Sequence, residues 1–337
     1  VPEITADYDE RTRLMRYRFL FGWAGGLLIL IFAYGIFFTG PKGVSDPVGY
    51  DAYSLCGALM MTGAVLISAL GQHKRVAKQS PPAPRGAGLR HALTEIKATL
   101  SNRAFLWLTS AALFGLINQG ITFALSNYQL AFLWQLEQMQ MLYYALLLFG
   151  TVIIAFIIVP PLSGRLGKKN AAILLASISL TFNSAMYLGW LLDLVPGAPD
   201  NPSILYMFSF LIISNGAAVG MMMLTSSMMA DVVEASQQET GRRSEGLFFA
   251  GYFFMQKCAV GIGTFFAGMI LTFANFPQEA VPGKVDAAVL DGLALYYMVA
   301  LATLGIIGIL ILRHFPISRE SHNERLRVLN SKAESAS

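Results

Sequence analysis

Charge is what this chain has least of. Only 13% of its 337 residues are Asp, Glu, Lys or Arg, against about 25% in soluble globular domains. A chain so poor in charge contacts something other than water, which excludes an ordinary soluble fold. Cysteine is scarce as well. Cys56 and Cys258 lie far apart inside apolar runs, which excludes a disulfide framework. The four histidines, His73, His91, His314 and His322, fall in polar connections with no spacing suited to zinc, so no metal site is expected. There is no Gly-X-Ser-X-Gly elbow, no phosphate-cradling glycine loop with lysine and no His-Glu-X-X-His. Nothing inside an apolar run pairs a nucleophile with a base. These absences argue against an enzyme and imply no cofactor.

What the chain has instead is apolar length. Hydrophobic residues make up 55% and the mean hydropathy is +0.55. Several uninterrupted runs exceed the roughly 20 residues that cross a hydrocarbon core of about 30 Å. Spans are expected at 18–39, 50–72, 104–130, 140–163, 171–195, 203–230, 246–275 and 291–313. In lipid each backbone amide must be satisfied within the segment, so these runs must be helices. The alternating, turn-punctuated pattern of a membrane β-barrel is absent. The expected fold class is therefore an all-α membrane protein with about eight transmembrane helices.

The basic residues then orient the spans. Of the 24 Lys and Arg, 21 fall in connections on one side, from Arg11 through Arg103, Arg165 and Arg243 to Lys332. Only Lys42 and Lys284 fall on the other side, and Lys257 lies inside a span. Lys and Arg are retained on the cytoplasmic side, so both termini of this chain are expected to be cytoplasmic. Sorted this way, the net charge of +4 reflects topology and not a nucleic-acid partner. The partner implied is the lipid bilayer.

The stretch 73–103 divides two spans from six. It opens polar and Pro-rich, and then Leu89, Leu93, Ile96 and Leu100 recur at helical spacing, with Arg90, Glu95 and Lys97 on other faces. This reads either as an amphipathic helix on the inner leaflet or as a solvated linker helix. Residues 1–72 are then expected to end one bundle, 104–313 to form a six-helix bundle, and 314–337 to be a tail. Half-and-half construction is common in transporters. If the second half has six spans, four are expected to precede this chain, which opens on Val1 and a charged stretch.

Lys257 is the most informative single residue. It falls about eleven residues past the start of the seventh expected span, where a charge costs about 3 kcal/mol on insertion scales unless paired or hydrated. One reading makes it the cation of a polar cavity; the other makes it a structural interhelical pair. Arg18, at the start of the first span, either reaches a central cavity or snorkels to the headgroups. On the third span Asn118, Gln119 and Thr122, with Ser126 and Gln129, form a polar surface that lines a wet cavity or bonds a neighbouring helix. Asn215, Thr225, Ser226 and Ser227 on the sixth span are weaker candidates, because Ser and Thr can bond their own helix. In the connections, Arg165, Asp231, Glu234, Arg242 and Arg243 are placed either to form gates between helix ends or to be ordinary solvated charges.

Two stretches carry a resemblance. Residues 2–14, with TyrArgPheLeuPheGly at 17–22, are one; AlaAspValValGlu at 230–234, with ThrGlyArgArgSerGluGlyLeuPhePheAla at 240–250 and PheMetGlnLys at 254–257, are the other. They resemble the glycoside–pentoside–hexuronide cation symporters, the melibiose permease-like branch of the major facilitator superfamily. The resemblance runs through nearly the whole chain and places these spans as helices five to twelve. It implies two six-helix bundles, alternating access, and monomeric symport of a small solute with Na⁺ or H⁺. Arg18 matches a family arginine that contacts sugar, and Lys257 a family lysine near the sugar and cation sites. The family's cation-binding acids lie on helices that precede this chain. Where melibiose carriers have a tryptophan and a glutamine this chain has Met222 and Thr225, which counts against melibiose itself. A sugar or glycoside is the leading expectation; a lysolipid symporter and a non-transporting scaffold or sensor are the alternatives.

Overall fold

The apolar runs are helices throughout a computed structural model that describes residues 21–22, 24–39, 47–79, 101–240 and 245–316. Eight helices follow in order: α1 Ala24–Phe37, α2 Pro47–Gln79, α3 Arg103–Tyr128, α4 Gln138–Leu166, α5 Lys168–Leu191, α6 Ile204–Thr240, α7 Glu245–Phe273 and α8 Ala287–Leu312. Seven of them are long and apolar enough to cross a membrane, and the described part of α1 lies within the first expected span. No strand occurs among the described residues. The all-helical membrane fold read from the sequence is therefore observed, with seven long helices against about eight expected. The proposed amphipathic segment at 89–100 lies outside the described residues.

Local chemistry sets the helix ends. Asn102 caps α3, its side chain accepting from the Phe105 amide at 2.9 Å, and Asp286 caps α8 through the Ala288 amide at 3.2 Å. Each such cap satisfies one orphan amide and contributes about 1 kcal/mol. Between α4 and α5 the chain reverses at Gly167, whose φ of 76° is open to glycine at little cost. Two segments widen into π-helix, Ala33–Phe37 at the end of α1 and Gln129–Leu133 just after α3.

The chain divides into two compact units. One takes in α1, α2 and the first part of α4, through Phe149; the other takes in α3, α4 from Gly150, and α5 to α8. In the first unit Phe38 packs against Tyr50 and Tyr53, with ring centroids 4.5 and 5.5 Å apart. Gln138 Nε2 donates to the Tyr34 carbonyl at 3.4 Å. Along α2, Leu55, Leu59, Val65, Ile67 and Leu70 are all exposed, a surface suited to acyl chains.

The second unit is built on close helix crossings. At the α3–α7 crossing a Cβ on Gly120 would lie 2.7 Å from the Val260 carbonyl oxygen, and one on Gly263 would collide with the Ile117 carbonyl. Small residues let backbones approach in this way where lipid provides no hydrophobic drive between helices. On α7 the buried residues Phe248, Tyr252, Ala259, Gly263, Ala267 and Ile270 recur at helical spacing. Phe248 sits edge-on against Phe105 of α3, centroids 5.2 Å apart.

A single methyl group discriminates the two faces of α7. Gly263→Ala is expected to lower stability by about 1–3 kcal/mol through overpacking. Gly268→Ala, which meets nothing within 4 Å, is expected to leave it unchanged or slightly raised. Thermal unfolding of the detergent-solubilised protein measures both.

Candidate functional site

Polar side chains in the second unit collect between α3, α5 and α8. On α3, Asn118 Nδ2 donates to the Leu301 carbonyl at 3.1 Å, and Thr122 Oγ1 lies 2.9 Å from the Tyr297 hydroxyl of α8. From α5 the Tyr187 hydroxyl donates to Gln129 Oε1 at 2.7 Å. Side chains of Gln129, Tyr187 and Asn183 also border the Tyr297 hydroxyl. Farther along, Trp190 Nε1 donates to Asp291 at 2.9 Å, and Trp134 packs edge-on against Trp190. The result is a line of hydrogen-bonding groups along three spans. Asn118 and Thr122, picked out from the sequence, thus bond a neighbouring helix, whereas Gln119 is exposed.

The sequence reading passed over Asn183, Tyr187 and Tyr297. Their signal was present: Asn183, Tyr187 and Trp190 are spaced by four and three on one face of α5. Tyrosine and tryptophan look apolar in a hydropathy count, yet each carries a donor that must be satisfied when buried.

Lys257 stands apart from this line. It lies on the face of α7 opposite the buried stripe, with Ala250, Phe253, Gly261, Thr264 and Gly268, all of them exposed. No described residue forms a hydrogen bond or an ion pair with it. Of the glycines near it, Gly263 packs against α3, while Gly261 and Gly268 have open space where a side chain would be. The ammonium thus stands on an exposed face that mixes small residues with Phe253.

On α6, Met222 is half-buried, and Thr225 is buried with its hydroxyl donating to the Met221 carbonyl at 2.9 Å, so that side chain is satisfied on its own helix. Asn215 reaches α4 instead, Nδ2 donating to Thr151 Oγ1 at 2.6 Å. Arg18, Arg242 and Arg243 lie outside the described residues, as does the side chain of Glu234.

At the ends that carry the basic connections, Asp231 pairs with Lys168, whose Nζ is 2.6 Å from one carboxylate oxygen and 2.8 Å from the other. Lys169 Nζ donates to the Phe315 carbonyl at 2.8 Å, tying the start of α5 to the end of α8. Both contacts lie within the second unit. Arg165 is exposed. The Lys168 side chain keeps 39% of its surface exposed, so screening limits the pair to about 1 kcal/mol at most. A contact that weak can open during a conformational change.

Residues 1–319 match the family model described as MFS/sugar transport protein. The chain belongs to this family. Among curated relatives, an uncharacterized symporter of Synechocystis sp. is 28% identical over 272 residues, covering 79% of this chain and 47% of that protein. An Escherichia coli protein named as a 2,3-dihydroxypropane-1-sulfonate exporter is 26% identical over 321 residues, covering 91% of this chain and 63% of its own length. A Salmonella typhimurium protein of the same name is 25% identical over 320 residues. The chain thus spans about half to under two thirds of the relatives it matches. MFS sugar transport proteins are multi-pass membrane transporters and not enzymes, which agrees with the seven long apolar helices.

In this MFS sugar transport protein the Thr122–Tyr297 contact is open to a double-mutant cycle. Thr122→Val and Tyr297→Phe are each expected to cost about 1 kcal/mol. The coupling should be about 0.6 kcal/mol, the usual size for interhelical bonds in membranes. Unfolding of the detergent-solubilised protein measures it, and zero coupling would mean that the bond contributes nothing.

Proposed function

We propose that this chain is part of a secondary active transporter that moves a sugar or glycoside-like solute with Na⁺ or H⁺ by alternating access. The observation that carries the reading is Lys257: an ammonium within a spanning helix, exposed, with no partner among the described residues. Ionisable side chains at membrane depth face a bundle interior or a wet pathway and not lipid. Family membership and a relative named as a symporter support the same reading.

On this reading Lys257 and Arg18 line the solute path, while Asn118, Thr122 and Thr225, bonded to α8 or to their own helix, position the helices. The coupling ion binds acids supplied by other helices of the transporter. Arg165, Asp231, Glu234, Arg242 and Arg243 act at the cytoplasmic gate, where the Lys168–Asp231 pair breaks and re-forms. The charge distribution supports cytoplasmic termini for this chain, in a bacterial inner membrane, and the transporter acts as a monomer.

A second reading shares the mechanism and changes the solute. Two relatives are named as exporters of a sulfonated polyol, and an ammonium without a carboxylate beside it suits an anionic group. The solute is then a small polyol acid, and the direction is outward.

Counterflow in proteoliposomes containing the full-length protein separates these readings, with a panel of sugars, glycosides, lysolipids and 2,3-dihydroxypropane-1-sulfonate. Lys257→Ala is expected to lower exchange of the accepted solute at least tenfold, and Lys257→Arg to retain part of it. Unchanged exchange in a normally expressed Lys257→Ala protein refutes the assigned role. Failure to exchange any solute favours a non-transporting scaffold or sensor.

A further inference from the structure

One ridge of α3 carries an aromatic ring between two amides. Gln119, Phe123 and Asn127 recur at every fourth residue, so they form a row along the helix, and all three are exposed. Phe123 is 81% exposed, more than any other large apolar side chain among the described residues. The Ser126 hydroxyl beside it donates to the Phe123 carbonyl at 2.9 Å and is satisfied on its own helix. No described residue forms a hydrogen bond with the Gln119 amide.

Contacts fix which way this row faces. Phe105 meets Phe248 and Gly120 meets Gly263 at the same offset in sequence, so α3 and α7 run parallel. Helix α8 covers one flank of this pair, through Asn118 and Thr122 on α3 and through Phe273 on α7. Helical spacing turns Gln119, Phe123 and Asn127 to the other flank. It turns Lys257, Gly261, Thr264 and Gly268 of α7 to that same flank, and they too are exposed. At 1.5 Å per residue, Phe123 stands about 14 Å along the axes from Lys257.

The chemistry of the row selects its occupant. Hydrocarbon fails the match, because an amide that faces it loses its hydrogen bonds. An acyl chain would cover the ring and orphan the amides in the same way. Water alone satisfies the amides but leaves the ring bare, and covering such a ring is worth about 1.5–3 kcal/mol. An open-chain polyol has hydroxyls but no rigid face to lay on a ring. A cyclic sugar has both, with C–H groups on its face and hydroxyls around its rim. Glutamine both donates and accepts, as a hydroxyl does.

We propose that Phe123 is a stacking residue of the solute path, taking the face of a cyclic sugar while Gln119 bonds its hydroxyls. The inference rests on the sugar-transport reading above and narrows it to solutes in ring form.

Counterflow in proteoliposomes containing the full-length protein tests it, with methyl galactoside and methyl xyloside, whose rings cannot open, against galactitol and xylitol, which have none. The wild type is expected to half-saturate with one of the glycosides at a concentration at least tenfold below that for its alditol. Phe123→Ala should raise the half-saturating concentration of that glycoside at least tenfold, with the maximal exchange rate within twofold of wild type. Phe123→Tyr should keep the preference. If Phe123→Ala fails to fold, Phe123→Leu, apolar but not flat, makes the comparison. Glycoside exchange that is the same in wild type and variant, or a wild type that does not favour ring over alditol, overturns the stacking role and leaves the transport reading standing. A wild type that exchanges none of the four overturns the stacking role and the sugar reading together.

Discussion

In hydrocarbon nothing outside the chain will accept or donate a hydrogen bond, and the rest of this structure depends on that constraint. It turns every long apolar run into a helix, because only a helix satisfies its own backbone. It then favours polar side chains in a span that find a partner on another helix or on their own. Thr225 and Thr264 bond the carbonyl four residues back, and Asn215 reaches Thr151. Thr122 meets Tyr297 and Tyr187 meets Gln129. The polar line between α3, α5 and α8 is what the same constraint produces when three helices each contribute polar groups to one interface.

Close approach of backbones is the second condition. Polar side chains as short as Asn and Thr bridge two helices only if the axes are near, and lipid does not press the helices together. Glycine supplies the approach at Gly120 and Gly263, where even one methyl on either helix would meet main-chain atoms. Gly261, two residues from Gly263, points into open space. The same residue type on one helix thus serves a crossing in one direction and an open face in another.

The fold was legible in the sequence because its signal is long and one-dimensional. Hydropathy over about 20 residues needs no knowledge of neighbours, so the spans could be placed from runs alone. Side-chain partners were less legible, since they depend on helix rotation and on which helices adjoin. The stripe of Asn118 and Thr122 could be seen, but not that it meets Tyr297 and Leu301 on a helix more than 170 positions later. The acid in AspValValGlu could be marked for a charged contact, but not that its partner among the described residues, Lys168, stands 63 positions earlier on another helix. Lys257 was conspicuous in sequence for the reason that makes it conspicuous in the structure: a charge is the one thing hydropathy cannot average away.

The two polar features of the second unit differ in a way that energy dictates. A neutral amide or hydroxyl recovers most of its desolvation cost from a single good hydrogen bond. Asn118, Gln129 and Tyr297 can therefore be enclosed within the bundle, where they fix helix positions. An ammonium loses far more on leaving water, and neutral partners do not restore it. It must stand where water, a counter-charge or an anionic group can reach it. Enclosure for the neutral cluster and an open face for Lys257 are thus two outcomes of one rule. The rule also separates the two features: the buried line joins α3, α5 and α8, while among the described residues the Lys257 face of α7 stays exposed.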